Sequence, residues 1–501
     1  MVDNDRKKIL IVGAGLGGLS TGVYAQLNGY QAHIYEQHTT SGGLAATWKR
    51  KGYLIDGGIH FLSGHKPNIK FHRILKELGA ENYNYLDMET YGRFFDLKTG
   101  FKIEITNNLG KLEADLLIAF PEDKAVIKDL MKGTRALSKV DLSTFGFEKP
   151  GELYGLKDKI KDGWIAKGIW KYFTGKYNKP IKKYAQEVHS PILADFMMKV
   201  FLPDVPVWFI MMILAMVVTN QMCLLGDGSN EFAKCIEHRF LSLGGKITYS
   251  SNVKTIIVEE GVAKGIVLAN GEKFFADYVI STIDGHHTVY DLLGGRFIDD
   301  ELQNRYQNLK ALPPLFVVTF GVTREFLEEP WLVITNLDKP LVLGDCTIKE
   351  ITYRIFNYSK NFAPAGKTVI QVMIEANWDF WEKTYNDKKR YKMEKEAIAE
   401  EILNQMEVIF PQIRQSVEMT DIATPYTYYR YTRSHEGSIM GWLPEASTML
   451  EVWDKSLPGL QNFYHGGQWS FSIGGVSTAL FSGRHVIQLI CHKEGKKFKN
   501  R

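Results

Sequence analysis

A short apolar run, Ile9–Val12, leads directly into Gly13-Ala14-Gly15-Leu16-Gly17-Gly18, and this leaves the N-terminus little choice of fold. The run is too short for the core of a signal peptide and has the length of a buried strand. Leu19–Leu27 then has helical spacing, Gly29 closes it, and Ala32–Tyr35 reads as a second strand ended by Glu36. Each part has a physical use. Gly13 makes the tight turn, Gly15 lets backbone approach a pyrophosphate, and Gly18 lets helix and strand pack closely. Leu16 and Gly17 complete the helix start, whose unpaired N–H groups and dipole favour phosphate. Glu36 stands near the offset needed to accept from ribose hydroxyls. The pattern predicts a dinucleotide-binding βαβ unit of the Rossmann type.

The rest of the chain bounds the class. Its 501 residues suffice for two or three packed units, and 45% hydrophobic with 24% charged residues is an ordered composition. A formal net charge of +4 gives no reason to expect nucleic acid. Cys223, Cys235, Cys346 and Cys491 have neither zinc-ligand nor CxxC spacing. They read as buried, reduced thiols in a cytoplasmic chain without a metal site. The longest apolar run, Val207–Val218, is below bilayer length and predicts a buried helix or a cavity wall.

Further glycine-bearing segments follow. Gln37 leads to Gly42-Gly43-Leu44, and later to Asp56-Gly57-Gly58-Ile59-His60. Residues 226–284 read as a helix with apolar Phe232, Ile236, Phe240 and Leu243, then hairpins turning at Gly261 and Gly271, then a buried strand ending at Thr282. Near the C-terminus, Gly459–Gly467 reads as a strand and turn. Gly474-Gly475-Val476 then opens a helix through Cys491. Gly475, Ala479 and Gly483 give that helix a smooth face, and its positive end suits an anionic ligand edge. No second GxGxxG follows a strand, so a separate NAD domain is not expected.

These motifs resemble the phytoene desaturase, carotenoid isomerase and retinol saturase family of the amine oxidase superfamily. The resemblance implies FAD as cofactor. It places Glu36 and Gln37 at the ribose, Gly43 and Leu44 along the pyrophosphate, and Gly57, Gly58, Ile59 and His60 near the flavin. It gives Val253 a backbone contact to the adenine and makes the strand ending at Thr282 the one that re-enters the flavin domain. Gly467, Gly474, Gly475 and Val476 are the ring contact. Two positions depart from the family: Gln468 stands where an acid is common, and Ile473 where a proline is common. The implied fold is α/β. A discontinuous Rossmann-type FAD-binding domain (1–65, 220–295 and 455–501) carries an inserted α+β substrate domain (66–219 and 296–454). Any nicotinamide cofactor would have to bind at the flavin face.

The substrate half is read as an antiparallel sheet from 314–322, 341–348, 351–358 and 368–376, with an amphipathic helix over 387–408. Dense aromatics there suit either a tunnel for an apolar polyene or ordinary core. Residues 152–184 interleave lysines with Trp164, Trp170, Tyr172, Phe173, Tyr177 and Tyr184. This is the composition of a segment lying on an anionic bilayer, or of a solvated basic face. The membrane-contacting helical part is expected around 152–218, placing the chain peripherally on the inner face of a membrane.

Asp56–His60 is similar to the retinol saturase form of this turn. Pro425–Tyr431 and Gly437–Trp442 resemble the family segment that crosses the flavin. The implied activity is desaturation, saturation or isomerisation at carbon–carbon double bonds of an isoprenoid-like substrate, with hydride exchanged at the flavin and an unspecified electron partner. His60 is the candidate acid–base group, because an ordinary histidine titrates near neutrality, or else a hydrogen-bonding group near the flavin. Tyr428, Arg430 and His435 are weaker candidates. Two rivals share the scaffold: an amine oxidase, and a non-enzymatic protein that binds prenyl groups.

Overall fold

The computed structural model describes residues 6–501; the polar lead Met1–Asp5 lies outside the described residues. A five-stranded parallel sheet has the order 246–248, 31–35, 8–12, 278–281, 463–465. Its strands come from three distant parts of the chain. Ile9, Leu10, Ile11 and Val12 are all buried, as a parallel strand covered on both faces requires. The helices Leu16–Leu27, Ser229–Ser242 and Val476–Lys493 share the core on one face. A three-stranded antiparallel sheet (Val253–Glu259, Val262–Leu268, Lys273–Phe275) covers the other.

The helix–helix contacts depend on missing side chains. A Cβ on Gly22 would fall 2.8 Å from the Phe240 ring. A Cβ on Gly483 would collide with the backbone of Ser20 and Thr21, so the first and last long helices touch backbone to backbone. Ser20 Oγ also donates to the Leu480 carbonyl at 2.6 Å.

A second sheet has seven strands, in the order 417–423, 315–322, 368–375, 346–355, 332–343, 90–96, 102–106. All pairings are antiparallel except 332–343 with 90–96, which is parallel. Sequence alternation misplaced two of these strands. The segments 341–348 and 351–358 are not separate strands: Leu343 pairs with Cys346 across a Gly344-Asp345 turn. The alternating pattern had been read straight through that turn. Strands 90–96 and 102–106 carry no local signal of which sheet they join, and they enter from the first quarter of the chain.

Period-two alternation divides the residues of this sheet between two cores. Phe316, Val318, Tyr353 and Val372 face the helices Trp378–Asn386 and Lys388–Ile409. Val317, Leu332, Ile334 and Met373 face a layer that includes Pro191–Phe201 and Val207–Val218. The apolar 207–218 run is thus a buried helix, and its Phe209, Met212, Ile213 and Met216 also line a cavity.

Gly483→Val should drive the first and last helices apart and lower stability by about 3 kcal/mol, the upper range for overpacking. Gly163→Ala, where a Cβ meets open space inside the helix 156–166, should instead raise stability by about 0.5–1 kcal/mol. Denaturant unfolding of both variants beside the wild type checks this.

Candidate active site

A cavity of about 1010 Å³ lies between the two sheets. It is as large as the biggest common small-molecule sites, at roughly 300–1,000 Å³. Its lining brings the predicted cofactor residues together from all three segments. Gly13, Gly15, Leu16, Gly17, Glu36 and Gln37 come from the first βαβ unit, and Gly43, Leu44, Gly57, Gly58, Ile59 and His60 from the loop and hairpin after it. Val253 and Thr282 come from the middle, and Gly467, Gly474, Gly475 and Val476 from the C-terminus. Gly18 does not line it. There a Cβ would strike the Gly13 carbonyl and come within 2.8 Å of Thr282 Oγ1, so Gly18 is a close-packing position.

The local geometry is that of a cradle for a polar, anionic ligand. Gly13 has φ +94°, a value that disfavours any side chain, and a Cβ there would also press on Ile283. A Cβ on Gly17 would lie 2.8 Å from the Gly467 Cα, so the two chain ends meet at the rim. Thr282 donates to the carbonyls of Val12 and Gly13 at 2.9 and 3.2 Å. Helices 16–27 and 476–493 both start at a glycine with no side-chain cap. Their first N–H groups are therefore left for a ligand. Gln468 departs from the family pattern and is put to use: its side-chain carbonyl accepts from Gly475 N at 3.1 Å. Glu36 is buried and accepts from Ala14 N at 2.7 Å and His38 N at 2.8 Å, so it also holds the fingerprint turn. A Cβ on Gly475, at φ +121°, would meet nothing within 4 Å. The glycine-lined surface, the two uncapped helix starts and the buried acid fit the diphosphate, ribose and ring of FAD.

The candidate catalytic residues fare differently. His60 lines the cavity and makes no hydrogen bond among the described residues. Burial, and then the nearby Arg354 cation, push its pKa down to about 3. The ordinary titration on which the sequence argument leaned is therefore lost, and His60 is neutral at pH 7. Tyr428 is half-buried and stands outside the lining, where burial raises its hydroxyl well above its usual range. Arg430 is a correction: it is exposed, donates to the Tyr431 hydroxyl at 2.8 Å and is not part of the cavity wall. Arg433, three residues on, lines the cavity instead. His435 stacks on His286 with ring centres 4.3 Å apart, and its backbone N–H donates to Asp284 at 2.9 Å.

Three buried charged groups carry no role in the sequence reading, although Asp56 stands in a turn it singles out. Asp284 lines the cavity and accepts from the N–H groups of His287 (2.7 Å) and His435, while burial raises its pKa to about 7. Its position just beyond the end of a parallel strand was the available signal, since ligands sit outside the carboxyl ends of such strands. Asp56 is buried under the hairpin and accepts from Ser229 N, Ser229 Oγ and Gly58 N at 2.9, 2.7 and 3.0 Å. Arg354 is 1% exposed, donates to Gln371 at 3.2 Å and leaves its Nε without a partner. Nothing in the sequence marked it, because arginine in an alternating strand normally faces water.

The family described as flavin containing amine oxidoreductase matches residues 16–491. The chain is 24% identical to a chloroplastic prolycopene isomerase of Daucus carota over 95% of this chain and 78% of that one. It is 23% identical to a 4,4'-diapophytoene desaturase (4,4'-diapolycopene-forming) of Methylomonas sp over 99% and 97%. A solved oxidoreductase from Methanosarcina mazei shares the fold, with a TM-score of 0.57 at 17% identity over 96% of this chain and all of that one. The fold and the site define an FAD-dependent oxidoreductase. The chain belongs to the flavin containing amine oxidoreductase family.

Gly475→Asp puts a carboxylate into open cavity space at a strained φ, and Gly15→Asp puts one at the other uncapped helix start. The double variant should purify without the yellow cofactor, with FAD affinity lowered at least about a hundredfold, the weight of two misplaced charges at about 1.4 kcal/mol per decade. Flavin absorbance and fluorescence titration check this.

Proposed function

We propose that this enzyme acts on carbon–carbon double bonds of a long, apolar, polyene-like substrate. The observation that carries this reading is the shape of the cavity beyond the glycine cradle. Its floor is one face of the seven-stranded sheet. Gln371, Met373 and Glu375 share that face along one strand, and Arg354, Thr352 and Glu350 along the next. At about 3.3 Å per residue, the four steps from Gln371 to Glu375 span about 13 Å. Gln371 donates to the Asp56 carbonyl at 3.1 Å, so that end lies against the flavin-side hairpin. Met373 and Ile334, with Phe201, Phe209, Met212 and Trp331 above them, make the chamber between apolar. An apolar stretch between the cradle and the charged end at Glu350 and Glu375 suits an extended conjugated chain. The relatives named prolycopene isomerase and diapophytoene desaturase, similar along nearly all of this chain, support the same class.

When bound, FAD supplies the group that accepts or gives a hydride. The chain's own residues do the rest. The cradle residues Gly13, Gly15, Glu36, Gly43, Gly467 and Gly475 hold the cofactor between the segments 1–65, 220–295 and 455–501, and the slot built from 66–219 and 296–454 aligns the substrate. His60, neutral at the junction, offers one ring nitrogen as donor and one as acceptor. Its role is to orient a group beside the flavin.

Anaerobically reduced enzyme mixed with a conjugated polyene or enone should be reoxidised in single turnover, whereas primary amines should fail to reduce the oxidised enzyme. Stopped-flow flavin absorbance reads both. Rapid reduction by amines in air, with peroxide formed, would establish the amine oxidase reading instead.

The reading extends to location. Among the described residues no helix is long and apolar enough to cross a membrane. Yet the helix Leu156–Ala166 is turned inside out: Leu156 (75% exposed), Ile160 (54%) and Trp164 (73%) lie four apart on its outer face. Asp158, Asp162 and Ile165, half-buried, and Ala166, buried, make up the opposite side. An apolar stripe facing outward among Lys157, Lys159, Lys161 and Lys167 suits the interface of a bilayer from which a lipid-soluble substrate is collected. The four free cysteines support a reducing compartment and the inner face of a membrane. Replacing Leu156, Ile160 and Trp164 by serine should lower liposome flotation by at least about tenfold without loss of bound flavin. At about 25 cal/mol per Å² of apolar area, even partial burial of three such side chains exceeds 1.4 kcal/mol.

A further inference from the structure

Beside the inverted helix lies a second, separate concavity. Residues 67–76 and Lys161 enclose a surface cavity of about 470 Å³. Its lining holds Lys70, Arg73, Lys76 and Lys161, with His72 and a single acid, Glu148. That acid is already engaged. Arg73 donates to both Glu148 oxygens, at 3.1 and 2.8 Å, and is steadied from behind by Glu77 at 3.4 Å. His72 is tied through Nδ1 to the His65 carbonyl at 2.8 Å. Lys76 reaches Glu81 only at 3.5 Å, with its side chain 67% exposed. Among the described residues, Lys70 and Lys161 are within ion-pair distance of no carboxylate. Two further acids stand nearby: Asp162, on the inner side of the helix and close enough to feel the Lys70 charge, and Asp141, which accepts from the Lys70 backbone N–H at 2.7 Å. The cavity is therefore positively charged, with one arginine fixed in place and two lysines free to close on a ligand.

What such a cavity takes is decided by its neighbour. Lys161 directly follows Ile160, and at 100° per residue it flanks the stripe of Leu156, Ile160 and Trp164 on the same helix. A soluble anion would gain nothing from an exposed apolar edge beside its site. An amphiphile would use both parts. We propose that this cavity binds the phosphate of an anionic phospholipid headgroup, with Lys70 and Lys161 as its main ligands, while the adjoining stripe enters the acyl boundary. The inference rests on the membrane reading above and adds to it a headgroup and a place. One bound headgroup fixes the rotation of the protein on the surface, which a diffuse basic face does not. Each lysine near an anionic surface contributes about 1 kcal/mol, so a pair corresponds to at least about tenfold in binding.

The test compares flotation of the FAD-loaded enzyme on vesicles of phosphatidylcholine alone and of phosphatidylcholine mixed with phosphatidylglycerol. The wild type should prefer the mixed vesicles by about tenfold or more. The Lys70→Glu/Lys161→Glu variant should lose that preference while binding neutral vesicles as before. A control, Lys159→Glu/Lys167→Glu, makes the same change of charge on the helix outside the cavity and should keep most of it. Equal loss in both variants would overturn the site in favour of diffuse attraction. Inorganic phosphate at constant ionic strength should compete the preference away; a preference unmoved by saturating phosphate would overturn the headgroup phosphate as what the cavity holds. If the wild type floats with neither vesicle, the membrane reading itself falls, and this inference with it.

Discussion

Backbone-to-backbone contacts join segments from the two ends of the chain. Gly17 and Gly467 meet with no room for a side chain, and Gly483 lies on the backbone of Ser20 and Thr21. This places two helix starts, more than four hundred residues apart in sequence, at one cavity. Each start leaves N–H groups without a side-chain cap, and burying such groups without a partner is unfavourable. The protein therefore carries a site whose polar surface is completed by an anionic, hydrogen-bond-accepting ligand. The parallel sheet follows from the same constraint: strands 8–12, 278–281 and 463–465 must lie side by side for their glycine turns to face one another.

The second sheet solves a different problem. It gives one face to its own helices and the other to the cavity and the layer above it, so its alternation is apolar on both sides. Leu332, Ile334 and Met373 on one face are matched by Phe316, Tyr353 and Val372 on the other. Such strands resist slippage because a one-residue shift exchanges the two faces. The floor of the slot inherits that rigidity.

How much of this was legible depended on whether the signal was local. The fingerprint glycines, Glu36 and the 474–476 helix start could be read because a tight turn, a close approach and a cap each demand a particular residue at a fixed offset. The hairpin at Gly344-Asp345 was missed because an alternating pattern continues across a two-residue turn without a break. Arg430 is a weaker candidate, in a segment that resembles the family's flavin crossing, yet a helical residue faces one way only, and this one faces water. Asp284 and Arg354 were invisible for the opposite reason. Their interest lies in burial, and burial is a property of what packs on them from elsewhere. The outward stripe of the 156–166 helix was half legible: lysines and aromatics could be seen to alternate, but only the packing of Asp158 and Asp162 inward fixes which face is bare.

The buried charges give the cavity its polarity. Arg354 is enclosed without a carboxylate partner, and such a cation is retained only where something compensates for it. Asp56 lies close enough for its charge to be favoured by Arg354, yet its oxygens are spent on Ser229 and Gly58. The guanidinium stacks on the Phe356 ring at 4.6 Å and donates to Gln371, which in turn holds the Asp56 carbonyl. The effect is a relay from the floor of the slot to the hairpin that presents His60. Burial first, and the Arg354 charge second, disfavour a proton on His60, so that imidazole stays neutral and its lone pair free. The sequence points to His60 as a titrating acid–base group, and burial takes that titration out of the neutral range. What the fold has prepared at the cavity wall is a neutral imidazole near a buried guanidinium.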